Sequence, residues 1–154
     1  MSALAIAIHS VAAVLWVGGM YFAYQILRPA MSILDGPPPR LKLWLGVFDR
    51  FFPWVWAVVI ALPLTGYYQI YADYGGMDGV SPHIHIMQGI GWLMILLYWF
   101  LYFGPFAKFK AAVTAEDWPA AGAQLNWIRR VVGTNLILGL ITVAAGASGR
   151  LWML

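Results

Sequence analysis

Three histidines, His9, His83 and His85, are the groups in this chain best able to hold a metal ion or a haem iron. Imidazole is the usual protein ligand for haem iron and a good one for copper. The chain has no cysteine, which excludes disulfides, thiolate metal sites and Fe–S clusters and leaves the redox compartment open. No phosphate-binding loop and no paired intramembrane carboxylate is present, so hydrolase and transferase chemistry have no residues to work with. Met20, Met77 and Met87 carry soft thioethers suited to Cu(I), although methionine in an apolar helix usually serves packing.

The elements that must position these groups are transmembrane helices. Of 154 residues, 62% are hydrophobic and 10% charged, and the mean hydropathy is +0.76. A soluble domain is nearer half apolar and a quarter charged. Four apolar stretches, residues 3–27, 54–72, 84–103 and 129–147, approach the roughly 20 residues needed to cross hydrocarbon. The expected fold is therefore an all-α, integral membrane four-helix bundle, one domain over residues 1–154. The first stretch has no basic residue before its apolar run and is too long for a signal h-region, so it reads as a retained helix.

Charge orients the bundle. Eight of the nine basic residues fall between spans one and two or between spans three and four, and only Arg150 lies on the other side. The positive-inside rule makes the basic side cytoplasmic, so both termini face outward. The pI of about 9.3 would suggest nucleic acid in a soluble chain; here it reports orientation, and no nucleic-acid partner is expected. Gly36-Pro37-Pro38-Pro39 is a stiff turn that starts a helix. From Arg40 on, Leu41, Trp44, Leu45, Phe48, Phe51 and Phe52 recur at helical spacing among charges. That pattern predicts an amphipathic interfacial helix between spans one and two, with Pro53 as a kink or restart. Thr114 to Asp117, with Pro119 following, reads as a helix start, and the helix runs on through Arg129 into span four.

This topology brings the histidines to one side of the membrane. His9 lies about six residues into span one, roughly 9 Å deep. His83 and His85 open span three from the same outer side. Residues two apart on a helix point about 200° away from each other, so only one of this pair faces inward. His85 shares a face with Gln88, Gly89 and Trp92, and is taken as the inward ligand. His83, with Met87 on another face, is expected to be the more exposed. A lone membrane histidine often only bonds a neighbouring helix, but several at one depth suggest function, since ionisable groups in a membrane are costly.

Three readings follow. In the first, His9 and His85 are axial ligands of haem b, Gly19 and Gly89 give the ring room, and Trp16 and Trp92 pack on it. Two imidazoles saturate the iron, so the task is electron transfer with quinol or a porphyrin. A weak ligand would open oxidoreductase chemistry. In the second, His9, His85, His83 and Met87 capture copper at the outer face, although no polar ladder continues inward below them. In the third, the chain is a structural subunit of a larger membrane complex or a homo-oligomer.

The stretch from His9 through Trp16, Gly18, Gly19 and Phe22 to Leu27-Arg28-Pro29 resembles the first helix of the CopD family. Arg50 to Trp54 with Thr65-Gly66-Tyr67, His85 to Trp92, and Arg129 to Asn135 resemble its later helices. The resemblance covers nearly the whole chain. It implies copper uptake across the bacterial inner membrane. The chain is similar, more distantly, to HemJ, a haem-binding protoporphyrinogen oxidase family. HemJ proteins carry a lysine shortly after the third-helix histidine, and His85-Ile86-Met87-Gln88 has none.

Overall fold

The computed structural model describes residues 2–149, so Arg150 lies outside the described residues. Helix α1 (Ser2–Tyr21) continues through a π-helical turn, Phe22–Leu27, into α2 (Arg28–Ala30) and a 3-10 turn, Met31–Ile33. Pro29 accounts for the irregularity. A proline ring crowds the carbonyl four residues back and has no N–H to bond it, and a widened turn absorbs the misfit.

Helix α3 (Pro37–Tyr74) follows Gly36, whose φ of 81° turns the chain, and ends at Gly75 in the left-handed region. Its 38 residues make it about 57 Å long, nearly twice the hydrocarbon thickness. The amphipathic stretch is therefore not a separate interfacial helix. It is the N-terminal part of α3, which runs unbroken through Pro53 and Pro63. Its apolar face, Leu41, Trp44, Phe48 and Phe52, is buried against the other helices rather than laid on the membrane surface.

Helix α4 (Pro82–Leu101) passes through a second π-helical turn, Tyr102–Phe106, which contains Pro105, into α5 (Ala107–Thr114). Glu116, at φ 55°, makes the turn. Helix α6 (Trp118–Ser148) then starts where the sequence predicts, with Asp117 Oδ1 accepting from the Ala120 N–H at 3.1 Å. Among the described residues there is no strand. Four helical runs, Ala3–Ile33, Pro37–Tyr74, Pro82–Thr114 and Trp118–Ser148, are long and apolar enough to cross a membrane. The protein is a multi-pass helical membrane bundle.

Neighbouring runs are antiparallel. His9 meets Thr65 and Gly19 meets Phe51, which pairs α1 with α3. Met87 meets Gly146 and Met94 meets Gly139, which pairs α4 with α6. Inside lipid there is no hydrophobic drive between helices, so these seams depend on close packing. Glycine permits it: a Cβ at Gly139 would stand 2.8 Å from Val17 of α1 and 3.2 Å from Met94 of α4.

The densest packing is at the basic end. Phe48 and Phe52 stack at 5.2 Å, and Phe106, Phe109 and Tyr98 meet them edge-on. Phe109 and Ala121 are completely buried. Exposed ion pairs, Lys42–Glu116 at 3.3 Å and Lys110–Asp49 at 2.9 Å, edge this cluster.

Candidate functional site

The two histidines of α4 have exchanged the places expected of them. Helix α4 begins at Pro82, so His83 sits in its first turn, half-buried, with Nδ1 hydrogen-bonded to the hydroxyl of Ser81. Its imidazole occupies the space left by Gly149 just beyond α6, where a Cβ would collide with the ring. One turn on, Met87 lies over Gly146, whose Cβ would stand 2.8 Å from the methyl and 3.3 Å from the sulfur. Two turns further, Met94 is buried against Gly139. His83, Met87 and Met94 thus form the stripe of α4 that faces α6.

His85, rotated away from that stripe, is exposed. Gly89 is exposed beside it and has open space where a Cβ would be. Trp92 on the same face is 42% exposed, and its indole N–H donates to the Tyr67 hydroxyl at 3.3 Å. The expectation that His85 is the inward residue and His83 the more exposed is therefore reversed. The physical reason is the α4–α6 seam, which selects the methionine stripe because the small Gly146 and Gly149 receive its bulk.

His9 turns toward α3. Its Nδ1 lies 2.9 Å from Thr65 Oγ1. The Thr65 hydroxyl donates to the Ala61 carbonyl at 2.6 Å, so it must accept from His9, which fixes the proton of a neutral imidazole on Nδ1. The ring rests on Gly66, whose Cβ would stand 3.3 Å from Cε1.

His9 is bound to α3, His85 is exposed, and the Phe51 ring fills the gap at Gly19. Trp16 is 4% exposed and meets Tyr98 edge-on at 6.5 Å. Among the described residues no group of three or more His, Cys, Asp or Glu could hold a metal. His83 and Met87 place an imidazole and a thioether one turn apart on α4.

Sequence reasoning passed over a second feature. An apolar cavity of about 140 Å³ lies in the basic half of the bundle, walled by Trp16, Phe52, Tyr98 and Leu125 among others. Asn135 lines it and is 3% exposed. Its amide donates to the Met94 carbonyl at 3.1 Å, while Oδ1 has no partner. Asn135 and Arg129 of α6 were the available signal, but nothing in the sequence shows which helices surround them.

The model of one protein family, copper resistance protein D (CopD), matches residues 45–148. No curated protein and no solved structure matches the chain.

Proposed function

The chain belongs to the CopD family, and from that premise we propose that it is a copper-handling membrane protein that takes Cu(I) as cargo at its histidine end, through His83 and Met87. The observation that carries this reading is the shared α6-facing stripe. Residues four apart on a helix lie one above the other, so an imidazole and a thioether are offered to the same space. That pairing is soft and favours Cu(I) over hard cations. The bond between Ser81 and His83 Nδ1 is the kind of outer contact that orients a metal-ligating ring. Met94 continues the stripe inward.

The charge distribution supports a periplasmic position for this end in a bacterial inner membrane. Eight of the nine basic residues lie toward the opposite end, which the positive-inside rule makes cytoplasmic.

The test is a Cu(I) titration of the purified protein in mild detergent against a chromophoric chelator. One equivalent should bind per chain. His83→Ala and Met87→Leu should each lose it, and His85→Ala should keep it. Unchanged binding in both of the first two variants, or none in the wild type, would overturn the assignment. A visible spectrum of the same preparation reports any haem directly.

A further inference from the structure

The cavity lies at the basic end, and neither His83 nor Met87 lines it. It adjoins a wider basic mouth of about 470 Å³. Tyr24, Arg28, Trp44 and Arg129 line both spaces. Phe22, which also lines the cavity, is exposed, so the space reaches the lipid-facing surface. The π-helical turn Phe22–Leu27 supplies several of these wall residues, and π-turns inside helices are frequent at functional sites.

Three arginines surround the mouth. Arg40 is held in place by donating to the carbonyls of Leu34 at 2.9 Å and Ser32 at 3.1 Å. Arg28 lies over the Tyr24 ring, 5.3 Å from its centroid. Arg129 donates from Nη1 to Asn126 at 3.3 Å, but its Nε is buried without an acceptor. Among the described residues the ion pairs are Lys42–Glu116 and Lys110–Asp49, so no carboxylate answers these arginines. A buried donor with no acceptor is costly, and an anionic oxygen is its strongest partner.

We propose that the mouth and cavity hold one anionic phospholipid, its phosphate on Arg28 and Arg129 and part of an acyl chain in the cavity. The occupant must be anionic at one end and apolar at the other, and it must enter sideways from the bilayer. A zwitterionic lipid would bring its own cation to a cluster of three arginines. From Arg129 to Asn135 along α6 is about 9 Å, enough for several methylenes. Asn135 lines the inner part of the cavity.

The experiment is native mass spectrometry of the whole chain released from neutral detergent after incubation with phosphatidylglycerol, phosphatidylcholine or sn-glycerol 3-phosphate. One phosphatidylglycerol should be retained per chain and no phosphatidylcholine. Arg28 is exposed, so Arg28→Gln will fold, and it should weaken retention about tenfold, the loss of one charge-assisted contact. Lys108→Gln removes the same charge from an exposed position outside the mouth and should change nothing. Val132→Phe, which fills the cavity, should weaken retention as well. Equal retention of the two lipids, or full retention in Arg28→Gln, would overturn the anionic site. Displacement by glycerol 3-phosphate at equal concentration, or indifference to Val132→Phe, would overturn the part played by the acyl chain.

Discussion

His9 of α1 is bonded through Nδ1 to the hydroxyl of Thr65 on α3, at 2.9 Å. This contact spans two helices in a region with few other polar links. Thr65→Val removes the acceptor and should cost about 0.6 to 2 kcal/mol, the range for such bonds in membranes. Thr65→Ser should be neutral. Reversible unfolding in mixed micelles measures both, and equal stability of the valine variant would show the bond contributes nothing.

Two helical glycines have opposite consequences. Gly18 has open space at its Cβ position, whereas Gly139 is pressed by Val17 and Met94. Gly18→Ala should be neutral or gain up to about 1 kcal/mol from helix propensity. Gly139→Ala should lose about 1 to 3 kcal/mol by overpacking. Adding Val17→Ala should recover part of that loss, because the two residues touch. The double-mutant cycle reads this coupling, and an additive result would contradict the contact.

The basic end should dominate stability through packing, not through its ion pairs. Phe109 has no exposed surface, and Phe109→Ala should cost about 3 kcal/mol. Lys42→Gln breaks an ion pair whose side chains are 58% and 67% exposed, and should cost under about 1 kcal/mol. Melting temperatures of the two variants side by side would reveal an inverted order.

Bound copper should stabilise the fold by mass action. At a free Cu(I) concentration about 100 times Kd, the gain is about 2.7 kcal/mol. It should vanish on adding a Cu(I) chelator and be absent in His83→Ala. A gain of the same size in His83→Ala would move the ion elsewhere.

Much of the architecture was legible in the residues. Gly36-Pro37 and Asp117 through Pro119 mark helix starts through turn and capping chemistry, and the structure begins α3 and α6 there. The interfacial helix was not legible as it stands. Pro53 looked like a break, yet it is exposed on a continuous helix, since a long helix held by packing on both sides tolerates the lost bond.

By itself the sequence determined four apolar helices, their antiparallel order and the charge difference between the two ends, because hydropathy and loop charge act locally. Only the tertiary structure decided which way each helix turns. In water the apolar stripe of a helix marks its interior, but in lipid both sides are apolar. Leu93 and Trp92 look as suited to the core as Ile95 and Met94, yet the first pair is exposed and the second buried. The seam between α4 and α6 chose His83 over His85 through the small residues Gly146 and Gly149, and the cavity beside Arg129 arose where four helices fail to close.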